Sequence, residues 1–239
     1  QKLADKFLEF FANKKKYIEN LFVIENKARQ RVPFIYNTIQ SMADSEQTGL
    51  DIWLKPSQVG FSSERIANRL VDTLTVPGTN TVLIAYEDFI TERLLRKVNF
   101  FYNHLHSLGI PNFPEISSDS KFEKTFDFKV DGQIISQSSM YIASARSYVA
   151  GRAETIHHLL ADEFAFWPPG STERILLPAI ARIPPDGSCD IFSTPNGREN
   201  DFYNMYQWAK DGKSVFTPHF YPWWLLQEYR IDRGDPRIK

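Results

Sequence analysis

Apolar residues recur at helical spacing near the start of the chain, where Leu3, Phe7, Phe10 and Phe11 share one side of residues 3–17. The pattern predicts an amphipathic helix that Lys14, Lys15 and Lys16 end, because lysine complements the negative end of a helix dipole. Residues 21–26 (LFVIEN) read as a short strand, and a helix is expected over 34–44, after Pro33. From residue 51 apolar strands alternate with amphipathic helices. Residues 51–55 (DIWLK) form a strand, PSQVGFSS a turn, and 62–74 a helix that Pro77-Gly78 stops. Residues 81–86 (TVLIAY) read as a buried strand, and 88–106 as a long helix with Leu94, Val98, Phe101 and Leu105 on one side. Residues 109–120 read as a Pro- and Ser-rich loop, and 126–130 with 133–136 as a hairpin about Asp131-Gly132. Further strands are expected at 140–145, 156–161, 189–193 and 214–220, and helices at 171–182 and 200–210.

Strands alternating with helices predict an α/β fold with a mostly parallel central sheet, wound by right-handed crossovers. Such sheets hold ligands at the carboxyl ends of their strands. Three loops fall there: 55–62, 162–163 and 193–197. Composition narrows what they can do. The 239 residues carry 28 Lys+Arg against 29 Asp+Glu, a net charge of −1, so any nucleic-acid contact must come from a local patch. Cys189 is the one cysteine, which excludes a disulfide framework within the chain and points to a reducing compartment. No apolar run approaches the ~20 residues of a membrane span. The start at Gln1 and the lack of a signal-peptide pattern read as a fragment or trimmed product.

The first loop is Lys55-Pro-Ser-Gln-Val-Gly-Phe-Ser62, followed by Ser63. A phosphate loop needs a glycine for close approach, a hydroxyl for Mg²⁺ and a cation over the β/γ-phosphates. Gly60, Ser62 and Lys55 can supply these, although Lys55 stands where the usual motif has its first glycine and Phe61 where it has lysine. The same residues also suit a plain strand–turn–helix with Ser62 or Ser63 as its cap. The second loop ends the apolar run Leu159-Leu160-Ala161 with Asp162-Glu163, a pair able to hold Mg²⁺ and to polarise an attacking water, or simply to cap the next turn. The third, Ser193-Thr194-Pro195-Asn196-Gly197, is an ordinary turn sequence whose hydroxyls and amide lie where a γ-phosphate sensor would.

Together these residues resemble the ATPase half of a large terminase subunit, the motor that packages DNA into viral procapsids. Val32-Pro33-Phe34 with Gln40 resembles the family's adenine-recognising Q motif, and residues 55–62 its deviant Walker A. Residues 159–167 (LLADEFAFW) resemble its Walker B and 193–197 its coupling motif, so the likeness runs over residues ~20–200. The resemblance implies a P-loop NTPase of the additional-strand, catalytic-Glu type, hydrolysing ATP with Mg²⁺. It implies nucleotide contacts by Lys55, Ser57, Gln58, Val59, Gly60, Phe61, Ser62, Ser63, Phe34 and Gln40. Ser62 and Asp162 would serve Mg²⁺, Glu163 would be the base, and Ser193, Thr194 and Asn196 would couple hydrolysis to motion. Arg152, before the Walker B strand, would be the finger acting on a neighbouring subunit, with Arg146 next in line. Implied partners are double-stranded DNA, the procapsid portal, the small terminase subunit and further copies in a ring, in the host cytoplasm and away from membranes.

The family often carries arginine where Ser57 stands, so a phosphate-facing cation is missing and more falls to Lys55. Residues 1–222 are expected to form the ATPase domain and 223–239 the start of a linker, with no room for the family's nuclease. Arg93, Arg96, Lys97, Lys121 and Lys124 are candidate DNA contacts or a solvated face. The aromatics at 164–167 and 220–224 read as core or linker packing rather than a base-stacking platform, and the five histidines lack metal spacing. Two rivals stay open: a helicase-like translocase with the same core, and a non-hydrolysing nucleotide- or DNA-binding module, which Ser57 and Phe61 favour and Asp162-Glu163 opposes.

Overall fold

The computed structural model describes residues 13–146, 155–231 and 234–235. The chain enters through α1 (Lys14–Leu21), an antiparallel ribbon of β1 (Val23–Glu25) and β2 (Arg31–Pro33), and α2 (Thr38–Glu46). Then come β3 (Leu50–Leu54), α3 (Phe61–Thr75), β4 (Asn80–Ala85) and α4 (Asp88–Ser107). An antiparallel run follows: β5 (Glu115–Asp119), β6 (Glu123–Val130) and β7 (Gln133–Ser144). The last part holds β8 (His158–Asp162), a short α5 (Leu177–Ile180), β9 (Ser188–Ser193), α6 (Asp201–Lys210) and β10 (Thr217–Phe220).

One eight-stranded sheet orders these strands β10-β3-β9-β8-β4-β7-β6-β5. The strands from β10 to β7 are parallel, and β6 and β5 extend the edge antiparallel. Buried on both faces, the central strands are apolar nearly throughout. Successive side chains then serve opposite cores. Trp53, Leu83, Leu160 and Phe192 pack under α1, α3 and α4, whereas Ile52, Val82, Leu159, Ala161 and Ile191 pack toward α6 with Phe202 and Tyr206. This alternation leaves the tips of β3, β8 and β9 side by side.

Several elements differ from the sequence reading. The three lysines open a helix instead of ending one: the Asn13 side chain caps α1 by accepting from the Lys16 N–H at 2.9 Å. Lys14 reaches Asp72 of α3 at 2.6 Å and Lys15 reaches Ser41 of α2, so tertiary partners outweigh the unfavourable dipole. Leu3, Phe7, Phe10 and Phe11 lie outside the described residues. The helix expected at 34–44 starts at Thr38, because Asn37 and Gln40 form a reciprocal capping box. The expected 109–120 loop contains β5, which has a single large apolar residue, Ile116, and is held by the Tyr102 hydroxyl, which accepts from the Ile116 N–H and donates to the Pro114 carbonyl. The hairpin strand and the strand expected at 140–145 are one strand, β7. Residues 171–182 begin as a π turn at Thr172–Leu176, and Pro178 lies in the first turn of α5. No helix among the described residues is long and apolar enough to cross a membrane.

Candidate nucleotide site

The loop after β3 is held from two sides. The Lys55 N–H donates to the Ser193 carbonyl at 3.1 Å, which binds it to the tip of β9. From α2, the Gln40 amide donates to the Gly60 carbonyl and the Asn37 amide to the Val59 carbonyl, each at 2.9 Å. Gln58 and Gly60 adopt left-handed φ of 59° and 72°. A Cβ on Gly60 would stand 2.8 Å from the Gln40 Nε2, so glycine is required both for conformation and for the close approach of α2. Phe61 then starts α3 with its ring buried against Trp53 and Phe192.

This geometry aims four side chains at one point. Ser62 Oγ donates to Asp162 Oδ1 at 3.0 Å, and Lys55 Nζ donates to Glu163 Oε1 at 2.6 Å. The other Glu163 oxygen accepts from the Thr194 N–H at 2.9 Å, the Thr194 hydroxyl at 3.0 Å and the Ser193 hydroxyl at 3.2 Å. Glu163 itself sits at φ 49°, a left-handed conformation uncommon for glutamate, and this turn separates its direction from that of Asp162. Behind the pair, Asn196 donates to the Ala165 carbonyl and the Trp167 indole to the Asp162 carbonyl, both at 2.9 Å. The aromatics that follow β8 therefore brace the strand tip: Phe164 and Trp167 are buried, and Phe166 alone of the three is exposed.

The two carboxyls are tuned apart. Burial, with the Glu163 charge beside it, pushes Asp162 up to about 6, against the opposing pull of Lys55. Burial would raise Glu163 as well, but the Lys55 ammonium and the Thr194 hydrogen bonds outweigh it and hold that carboxyl below the ordinary glutamate range. A cavity of about 480 Å³ opens on the pair, of a size common for small-molecule sites. Ser57, Gln58, Ser62 and Thr194 line it, and α4 contributes Arg93 and Lys97.

Asp162 gives a pH-dependent prediction. Its folded pKa lies above the unfolded value, so the folded state binds the proton more tightly and stability falls as pH rises from about 4 to about 6. Asp162→Asn should therefore raise the melting temperature of the ligand-free protein at pH 7, by on the order of 2–3 kcal/mol of stability, with the gain vanishing near pH 4. Scanning calorimetry across that range checks it, and a variant less stable than wild type at pH 7 would contradict it.

Most of the other expected site residues are taken up by contacts of their own. The Phe34 ring is buried, stacked 6.0 Å from Phe101, and offers no face to a ligand. Both polar ends of Gln40 are engaged, by the Asn37 N–H and by Gly60. Val59 is buried in the core, and Ser63 accepts from Lys97 Nζ at 2.7 Å. Arg146 is exposed and 3.8 Å from Glu87, and Arg152 lies outside the described residues. Lys124 is buried against Asp119, and Lys121 pairs with Glu92 at 3.4 Å. In the expected linker, Leu226 packs into the core and the Tyr229 hydroxyl donates to the Gln58 carbonyl at 2.9 Å. Asn37, Tyr86, Arg93 and Lys97 were not marked by motif. A basic pair four residues apart, on the helix following a strand that ends beside the site, was the available signal.

A mainly parallel sheet with a glycine-bearing loop at one strand tip and an Asp-Glu pair at another defines an α/β P-loop NTPase fold. Solved structures share this fold. The ATPase domain of the Thermus phage P74-26 large terminase matches with a TM-score of 0.66 at 17% identity, covering 79% of this chain and 82% of that one. The bacteriophage HK97 large terminase matches with a TM-score of 0.65 at 14% identity, covering 88% of this chain and 43% of that one. The large terminase of a thermophilic bacteriophage in complex with ADP matches with a TM-score of 0.54 at 14% identity, over 78% of this chain and 44% of that one. No family model and no curated protein matches the sequence. The chain thus shares its fold with the ATPase domains of phage large terminases, and the matched region is less than half of the latter two, longer chains.

Proposed function

We propose that this chain hydrolyses Mg²⁺-ATP to drive double-stranded DNA into a procapsid, as the ATPase domain of a large terminase. The observation that carries the reading is the double contact of one loop with one strand tip: Lys55 with Glu163 at 2.6 Å and Ser62 with Asp162 at 3.0 Å. A hydroxyl and a carboxylate that touch each other at the mouth of a polar cavity suit Mg²⁺, a hard ion that takes oxygen donors and completes its shell with water and phosphates. No group of three or more His, Cys, Asp or Glu suited to a metal occurs among the described residues, and this ion needs none when phosphates supply the other ligands. Bound there by Ser62 and Asp162, it would neutralise charge on the β/γ-phosphates.

The chain's own groups do the rest. Lys55 is shared between Glu163 and the incoming phosphates, and on ATP binding its ammonium transfers to the phosphate. Glu163, held ionised by its surroundings, then accepts a proton from the attacking water. Thr194 holds the same carboxylate through two hydrogen bonds, so the β9 loop follows what Glu163 does and carries that change toward the coupling segment. A second cavity of about 430 Å³, bordered by Ile24, Ser63, Lys97 and Phe100, shares Lys97 with the first and would suit the nucleoside. Arg152 completes a neighbour's site in an assembled ring, residues 1–222 form the motor domain, and 223–239 lead toward a nuclease domain after first packing Leu226 and Tyr229 back onto the motor domain. DNA, the portal and the small subunit are the partners of the assembled motor.

The test is ATP turnover with Mg²⁺ as a function of protein concentration, with Arg152→Ala alongside. Specific activity should rise with concentration and vanish in Arg152→Ala. Activity independent of concentration and of Arg152 would favour the helicase-like translocase, and no activity with tight ATP binding would favour the non-hydrolysing module.

A further inference from the structure

Two cations on α4 enter the nucleotide cavity without a carboxylate partner among the described residues. Lys97 and Arg93 both line the cavity of about 480 Å³ that holds Ser62, Asp162 and Glu163. They stand four residues apart and so share one face of the helix. Neither forms an ion pair among the described residues. Arg93 lies 6.0 Å over the ring of Phe89, and Lys97 Nζ donates to Ser63 Oγ at 2.7 Å. By contrast, the side chain of Lys55 is only 5% exposed and its ammonium is held by Glu163. Lys97 and Ser63 also border the neighbouring cavity of about 430 Å³, so Lys97 stands at the junction of the two.

Resting on the nucleotide-site reading above, we propose that Lys97 is a phosphate-binding residue of this site, seated where the nucleoside and triphosphate halves meet, with Arg93 as a second cation one turn away. The chain then recovers from α4 the positive charge that Ser57 and Phe61 do not supply in the loop. The hydrogen bond to Ser63 fixes the ammonium beside the residue that follows the Mg²⁺ hydroxyl, where the phosphate nearest the ribose would lie. Burial lowers the pKa of Lys97, and the nearby Asp162 charge acts the other way. A half-buried ammonium with no ion-pair partner among the described residues is costly alone, and a phosphate oxygen offsets that cost.

The experiment is isothermal titration of the full chain with Mg²⁺ and a non-hydrolysable ATP analogue, for wild type, Lys97→Gln, Lys97→Arg, Arg93→Gln and Lys121→Met. The amide introduced by Lys97→Gln can still donate to Ser63 but carries no charge, so a purely structural role would leave affinity unchanged. A charge-assisted hydrogen bond to phosphate predicts that Lys97→Gln loses about 10- to 100-fold in affinity. Lys97→Arg should stay within about threefold of wild type, and Arg93→Gln should be weakened by less than Lys97→Gln. Lys121→Met, which removes a lysine lining neither cavity, should bind as wild type does. Lys97→Gln that melts like wild type and binds within about twofold of it would overturn the proposal while leaving the nucleotide site intact. Lys97→Arg as weak as Lys97→Gln would also overturn it, assigning the loss to packing. A wild-type chain that binds no nucleotide would overturn the site reading itself, and this inference with it.

Discussion

Glu163→Gln is expected to lower ATP turnover by about 10²–10⁴-fold, the usual contribution of a positioned general base, while Mg²⁺-ATP still binds. The substitution keeps shape and removes only charge. The new amide carbonyl can still accept from the Thr194 N–H and hydroxyl that hold Glu163 now, so the β9 loop keeps its anchor. It cannot take a proton from water. The change also releases Lys55, whose ammonium no longer has a carboxylate at 2.6 Å, and so ATP affinity should be equal to or tighter than wild type. Single-turnover hydrolysis and equilibrium binding, measured on the same preparation, separate the two effects. Turnover within about threefold of wild type would remove Glu163 from the role of base. Turnover and binding lost together would instead make Glu163 a structural anchor for the loop.

The site was legible in the sequence to the extent that backbone periodicity places strand tips. Apolar runs buried on both faces announce parallel strands, and the loops at their carboxyl ends follow without knowledge of packing. That is why Lys55, Ser62, Asp162, Glu163 and Thr194 could be named before the fold was known. What periodicity does not carry is the direction of long polar side chains. Arg93 and Lys97 read as a solvated helix face because nothing local says that the tip of β8 and the start of α3 lie against them. Phe34 and Gln40 illustrate a different limit. They lie close to the loop, but Phe34 is taken up by the core and Gln40 by fastening α2 to Gly60. Edge strand β5 was unreadable because one apolar residue in Glu-Ile-Ser-Ser-Asp makes no pattern. The reversal at Lys14–Lys16 shows tertiary partners overriding a local charge preference of only a few tenths of a kcal/mol up to ~1 kcal/mol.

Asp190→Asn is expected to destabilise the fold by about 3–5 kcal/mol, the usual cost of stripping one partner from a buried ion pair. Asp190 lies in the middle of β9 with no exposure, where the sequence suggests only an apolar strand. One of its oxygens accepts from the Trp53 indole at 3.0 Å and from Arg65 at 3.4 Å; the other accepts from Arg69 at 2.8 Å. Burial would raise its pKa, but Arg69 and Arg65 hold it below the ordinary aspartate value. Asparagine keeps the acceptor for Trp53 and leaves the two guanidiniums with Glu64 and Asp72 as their carboxylate partners among the described residues. At about 2–4 °C per kcal/mol for a chain of this size, the melting temperature should drop by roughly 10 °C. Because the folded pKa is depressed, the contribution of Asp190 is complete at neutral pH and is lost only as pH falls through that low value. The gap between wild type and variant should thus stay constant from about pH 8 to pH 5 and narrow below about 4, opposite in sense to Asp162→Asn. Asp190→Asn/Arg69→Met, which removes one of the stranded cations, should recover part of the loss; a double variant as unstable as the sum of its single changes would mean that the two residues do not act together. The network also joins β3, through Trp53, to β9 and to α3, the helix that follows the loop after β3. Disturbing it should therefore weaken nucleotide binding at temperatures well below the melting transition, even though Asp190 touches no residue of the cavity.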